Sequence, residues 1–209
     1  MTRVLLYSGG WDSFCVSKIF PDAHKLYVNL KTPYSQVEMA HLPEDVKIVD
    51  LDLQQFVMKN GHHIPQRNAI FALIATGYGM TFGDPEIEVI MAGVKEDGNM
   101  CDKNPTYFKE LEKLINLFYV DGSNQTEKYH VTVTGFFDYD KIELWEKAGK
   151  PDVRNIISCY DPSGFCGKCL DCKRRLLLLN YCYPGEYDID EEAFKKDLEE
   201  AQWLISDKL

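Results

Sequence analysis

Apolar positions recur along the chain in two rhythms, short runs that suit strands and longer stretches at spacings of three and four that suit helices. The first run, Val4-Leu5-Leu6-Tyr7, is too short for a helix and reads as a buried strand. A turn of glycines and small polar residues follows at Ser8-Gly9-Gly10, then a helical run that ends near Phe20-Pro21. Lys25 to Leu30 and Val46 to Leu51 read as second and third strands. Pro65 suits the first position of a helix carrying Ile70, Leu73, Ile74 and Tyr78 on one face. Ile87 to Met91 predicts a fourth strand, leading through Ala92-Gly93 into the polar loop Lys95 to Pro105. Phe108, Leu111, Leu114, Ile115 and Phe118 stripe the next helix. A loop around Gly122-Ser123-Asn124, a fifth strand at Tyr129 to Thr134 and a short helix at Asp140 to Ala148 complete this part. Beyond it come clustered cysteines, a helix through Leu176 to Leu179, and an acidic helix capped by Asp190 whose stripe is Phe194, Leu198, Ala201 and Ile205.

Strands separated by helical stretches need crossover connections, so the pattern predicts an α/β fold with a parallel five-stranded sheet flanked by helices. Residues 1–150 are expected to form an ATP-binding α/β domain and residues 151–209 a zinc-binding helical appendage. In such sheets ligands bind beyond the carboxyl ends of the strands, where the turn at Ser8 to Ser13 falls. Glycines let the main chain approach a ligand, and the unpaired N–H groups at a helix start favour an anion. Ser8 and Ser13 add hydroxyl donors, and the lysine of GxxxxGK[ST] is absent, which argues against a Walker-type triphosphatase. Asp12 beside an anion calls for Mg2+ or an ordered turn to offset the repulsion; the plainer alternative is a helix cap.

Charge and composition narrow the function. With 33 acidic against 23 basic residues the net charge is −10, which disfavours nucleic acid and leaves a small-molecule substrate. No apolar run reaches the roughly 20 residues needed to span a bilayer, and the first strand begins too early for a signal peptide, so a cytoplasmic protein is expected. Seven cysteines in a reducing compartment are metal ligands or buried thiols rather than disulfides. Cys159, Cys166, Cys169 and Cys172 follow C-x6-C-x2-C-x2-C, the donor set of a closed structural zinc site, one ion per chain, with an iron–sulfur cluster as the competing occupant. Cys15 suits helix packing, and Cys101, in a polar loop, is a candidate thiol.

The string Ser8-Gly9-Gly10-Trp11-Asp12-Ser13 resembles the SGGxDS signature of the PP-loop ATP pyrophosphatases, which have the adenine nucleotide alpha hydrolase-like fold. That resemblance implies that Tyr7 to Ser13 hold ATP and that ATP is split between its α and β phosphates to activate a substrate oxygen as an adenylate. Together with Ile64-Pro65-Gln66-Arg67-Asn68, Asp140-Lys141-Ile142-Glu143 and Ser158-Cys159 through Cys166-Gly167-Lys168-Cys169-Leu170-Asp171-Cys172, it resembles the QueC family of 7-cyano-7-deazaguanine synthases. The resemblance implies ATP-dependent activation of 7-carboxy-7-deazaguanine, displacement of AMP by ammonia to give an amide, dehydration to the nitrile with a second ATP, a structural zinc and a homodimer.

Several residues fit those roles on chemical grounds. Asp12, Arg67 and Lys141 are the expected catalytic groups: Arg67 offers a forked contact to carboxylate or phosphate, and Lys141 a charge for the developing anion, against the alternatives of a surface salt bridge and a solvated face. Arg67, Asn68, Lys95 and Asp97 are the expected substrate contacts. Lys173, Arg174 and Arg175 read mainly as neutralising the tetrathiolate site, and His62 and His63 as bystanders. The chain departs from the family at Cys101-Asp102-Lys103-Asn104-Pro105, where members carry Tyr-Pro-Asp-Cys-Arg, and no arginine lies between Arg67 and Arg154. The acceptor is therefore open: alternatives are a ligase that stops at the amide, a PP-loop enzyme that thiolates tRNA, and a nucleotide-binding module without turnover.

Overall fold

The computed structural model describes residues 1–57, 64–117, 129–159, 161, 164–201, 206, 208 and 209. His62, His63, Phe118, Ile205 and the turn at 122–124 lie outside them. Five strands, β1 (Thr2–Leu6), β2 (His24–Asn29), β3 (Lys47–Asp50), β4 (Glu86–Val94) and β5 (His130–Phe136), form one all-parallel sheet in the order β3-β2-β1-β4-β5. The chain leaves β1 toward β2 on one side and returns to β4 on the other, so the carboxyl ends of β1 and β4 flank a topological switch point.

Helices cover both faces, which is why the central strands are apolar throughout rather than alternating. On one face Leu5, Tyr7 and Ile90 pack on Trp11, Cys15 and Val16 of α1 (Trp11–Ile19) and on Leu144 and Trp145 of α5 (Lys141–Lys147). On the other, Val4, Leu26 and Val89 pack on Ala72 and Ala75 of α3 (Arg67–Met80) and on Phe108, Leu111 and Ile115 of α4 (Pro105–Leu117). Val153, Ile156, and Leu178 and Leu179 of α6 (Leu170–Cys182) belong to the first of these cores. The region after residue 150 thus shares its core with the sheet.

The main departures from the sequence pattern have local causes. The third helix begins at Arg67, not Pro65, because Gln66 before it adopts a left-handed φ of 58°. A further helix, α2 (Ser35–Ala40), follows β2 where no periodicity long enough to notice exists. Strands β4 and β5 run on to Val94 and Phe136, paired through a register shift. Leu73 and Leu114 lie on the expected stripes yet are 45% and 49% exposed, since the apolar stripe is wider than the face that meets the sheet. The last helix, α7 (Glu191–Glu200), starts as expected, with the Asp190 carboxylate accepting from the Ala193 N–H at 3.0 Å.

Two glycines on α3 make a matched test. A Cβ at Gly79 would stand 2.7 Å from the Ile87 side chain on β4, whereas at exposed Gly77 it would meet nothing within 4 Å. Gly79→Ala should destabilise by about 1–3 kcal/mol through overpacking, and Gly77→Ala should stabilise by up to about 1 kcal/mol through helix propensity alone. Urea unfolding of the two variants measures the contrast.

Candidate active site and metal centre

The turn between β1 and α1 is held by main-chain geometry and by its own serines. Gly9 has a left-handed φ of 76°, and Gly10, whose N–H donates to Ser8 Oγ at 3.4 Å, caps α1 in extended conformation with no side-chain cap of its own. The Ser8 N–H donates to Ser13 Oγ at 3.2 Å, and Ser13 Oγ in turn donates to the Gly10 carbonyl at 3.2 Å. The Tyr7 N–H donates to the Leu26 carbonyl at 2.8 Å, which ties the turn to the sheet. Trp11 Nε1 donates to the Lys141 carbonyl at 3.0 Å and pins the start of α1 to the start of α5.

Lys141 is buried, 4% exposed, and its ammonium donates to an Asp12 carboxylate oxygen. Neither plainer alternative holds: Lys141 is not on a solvated face, and Asp12 makes an ion pair instead of capping its helix. The start of α5 is capped locally, the Asp140 carboxylate accepting from the Ile142 and Glu143 N–H groups, and is held across the sheet by the Lys141 N–H, which donates to Glu96 Oε1 at 3.0 Å. Lys103, not singled out in the sequence, extends the pair: its Nζ is 2.6 Å from Asp97 Oδ2 and 3.9 Å from Asp12 Oδ2. The signal that could have found it is a lysine in the loop that follows a strand beside the switch point. Burial pushes the Asp97 carboxyl up, but the ammonium groups of Lys103 and Lys141 more than reverse this and hold it at about 2.

A cavity of about 600 Å³ opens from this turn and is walled by both halves of the chain. Arg67 stands at its α2–α3 side, hydrogen-bonded with the Tyr34 side chain and close enough to Glu38 to favour its charged form. Burial nevertheless raises Glu38, whose Oε2 accepts from the Tyr27 hydroxyl at 2.5 Å. Asn68 Nδ2 donates to the Asp102 carbonyl at 3.0 Å, so it anchors the loop after β4 in addition to facing the cavity. Lys95 is the departure: its side chain is exposed and off the cavity wall, on a turn that buries Glu96 and Asp97 instead, while its N–H donates to the Tyr139 carbonyl at 3.0 Å. The basic trio after the last cysteine also divides. Lys173 pairs with Asp197 of α7, Arg175 Nη2 donates to the Arg154 carbonyl at 2.7 Å, and Arg174 lines the cavity with its Nη2 3.5 Å from Asp171 Oδ1.

Cys159, Cys166, Cys169 and Cys172 bring four sulfurs within 4.8 Å of one another. The Cys159–Cys169 and Cys166–Cys172 sulfur pairs are each 3.9 Å apart, against about 3.8 Å for the edge of a tetrahedron with Zn–S bonds of about 2.3 Å. A cluster of several irons would hold the sulfurs further apart. Main-chain N–H groups of Asp161 and Cys166 point at Cys159 Sγ, and those of Lys168 and Cys169 at Cys166 Sγ. These donors favour thiolates, and the Cys166 thiol is lowered to about 6. The donor set fits a single zinc ion.

The family described as queuosine biosynthesis protein QueC matches residues 22–181. The chain belongs to the QueC family. This QueC-family chain is 30% identical over 151 residues to the 7-cyano-7-deazaguanine synthase of Rickettsia felis, covering 71% of this chain and 59% of that one. Its identity to the synthase of Rickettsia akari is 30% over 152 residues, covering 71% and 60%. Against 7-cyano-7-deazaguanine synthase 1 of Sphingopyxis alaskensis it is 26% over 207 residues, covering 83% and 91%. The chain thus spans about three fifths of the length of the Rickettsia relatives. Among the described residues of this QueC-family chain no helix is long and apolar enough to cross a membrane.

Two outcomes follow for stability. Cys169→Ser, or removal of zinc by a chelator, should lower Tm by about 10 °C or more, as one transition because α6 shares the sheet's core; calorimetry with metal analysis checks it. The lowered Asp97 carboxyl contributes about 2 kcal/mol that is fully present above pH ~4 and lost as pH falls toward 2. Urea unfolding between pH 2 and 7 should show that acid limb, and Asp97→Asn should flatten it.

Proposed function

We propose that this chain is an ATP-dependent carbon–nitrogen ligase that converts 7-carboxy-7-deazaguanine and ammonia to 7-cyano-7-deazaguanine. The observation that carries the reading is the bare glycine turn at a switch point, flanked by the buried Asp12–Lys141 pair and open to a cavity of about 600 Å³. Membership of the QueC family and the names of the relatives supply the substrate.

In this reading residues 1–150 bind the nucleotide and residues 151–209 close the cavity over it. Tyr7 to Ser13 cradle the phosphates of ATP through main-chain N–H groups and the two serine hydroxyls. Asp12 supplies a hard oxygen ligand for Mg2+, which offsets the charge of the triphosphate. A carboxylate oxygen of the acceptor attacks the α-phosphorus and pyrophosphate leaves. Lys141 stabilises the charge that builds on the phosphoryl oxygens, and Arg67 draws the anionic partners together. Ammonia then attacks the acyl carbon and AMP leaves with the former carboxylate oxygen. The amide oxygen meets a second ATP in the same way, and loss of AMP and a proton gives the nitrile. Asp97 and Asn68 hold the loop that faces the acceptor. One zinc per chain is structural. A homodimer in the cytoplasm is the assembly the family resemblance implies.

Incubation with ATP, ammonia and 7-carboxy-7-deazaguanine should release AMP and pyrophosphate, with the nitrile identified by its mass. Lys141→Met should lower kcat by about 100-fold or more, measured on protein that circular dichroism shows to be folded. AMP released only with tRNA, or no AMP under any condition, overturns the reading.

A further inference from the structure

Joining a carboxylate to a triphosphate sets anion against anion, so the site needs cations that hold the acceptor as well as the nucleotide. Of the cations on the cavity wall outside the phosphate turn, two are each braced by a carboxylate of their own segment. Lys103 stands on the loop after β4 and Arg174 on α6, with side chains 25% and 13% exposed, and both line the cavity. Each is braced by a carboxylate from its own segment, Lys103 by Asp97 at 2.6 Å and Arg174 by Asp171 at 3.5 Å. Lys103 lies 3.9 Å from Asp12 and so stands next to the turn, while Lys141 is buried against that same aspartate.

We propose that Lys103 and Arg174 together form the subsite that grips the acceptor's carboxylate and aims it at the phosphate turn. This rests on the ligase reading above. Both side chains line the same cavity although they come from segments some seventy residues apart. Burial lowers the Lys103 ammonium, but the carboxylates of Asp97 and Asp12 more than offset this and hold it above its ordinary range, so the ammonium stays charged at neutral pH. A guanidinium carries five N–H donors in a planar fork and an ammonium three around a point, so a planar carboxylate can be held edge-on by one and fixed in rotation by the other. The arrangement also accounts for a site with no arginine between Arg67 and Arg154: the forked donor comes from α6, beyond the metal ligands. Arg67, on the α2–α3 side with Tyr34 and Glu38, remains available to the nucleotide.

The test is titration calorimetry with three ligands taken separately: ATP with Mg2+, 7-carboxy-7-deazaguanine, and 7-deazaguanine, which has the ring without the carboxylate. Lys103→Met and Arg174→Leu should each weaken 7-carboxy-7-deazaguanine by about 10- to 100-fold, leave ATP within about threefold, and bind 7-deazaguanine as the unaltered protein does. Arg174→Lys should recover part of the loss. Circular dichroism and zinc content establish that each variant is folded; should Arg174→Leu fail there, Lys103→Met and Arg174→Lys carry the comparison. Unchanged binding of the carboxylic acid by the folded variants overturns the subsite while leaving the ligase reading standing. A parallel loss of ATP affinity also overturns it, by making the two residues phosphate ligands. If the unaltered protein binds ATP but not 7-carboxy-7-deazaguanine, the ligase reading fails and the subsite with it.

Discussion

Lys141 is the point at which the architecture of the site is tied together. Its ammonium neutralises Asp12 in the first turn of α1, its carbonyl accepts the indole N–H of Trp11, and its own N–H donates to Glu96 beyond β4. Three segments spread over 130 residues of the chain are thereby fixed around one buried residue. An unpaired ammonium in such a place would carry a desolvation cost of several kcal/mol, so the aspartate and the lysine require each other. The phosphate turn has its shape because both of its flanks end on this pair.

From that pair the charges alternate outward, Lys141 to Asp12 to Lys103 to Asp97. Alternation keeps the wall ordered without a net charge of its own, so a bound anion meets cations that are already placed. The C-terminal region contributes the remaining wall. Its helix α6 carries two cysteines of the metal centre at its start and Asp171, Arg174 and Arg175 on the cavity side, while Leu178 and Leu179 enter the core with Trp145. Metal centre, cavity wall and hydrophobic core are therefore successive turns of one helix.

Much of this was legible in the residues. The five strands, their parallel order of appearance and the four cysteines could be read because apolar runs, glycine turns and ligand spacing are local signals. The positions of Lys103 and Arg174 could not, since each depends on which distant element the topology brings beside it. Lys141 was identified as chemistry, but its burial against Asp12 is a product of the sheet order and not of its neighbours in sequence. Lys95 stands away from the cavity for a related reason: the tight turn at Lys95–Asp97 buries Glu96 and Asp97 and leaves Lys95 exposed. The start of α3 was misplaced because a left-handed Gln66 has no compositional mark, unlike the glycine at position 9.

The loop at 100–104 is held chiefly by contacts to its main chain. The Asn68 amide takes the Asp102 carbonyl, the Asn104 amide takes the Met100 carbonyl, and Asn104 Oδ1 receives the Tyr107 N–H at the start of α4. A segment anchored in this way keeps its course when the side chains at 101, 102 and 103 are exchanged. Evolution can thus revise the acceptor that this scaffold serves, one cavity-facing position at a time, while the nucleotide machinery behind it stays intact.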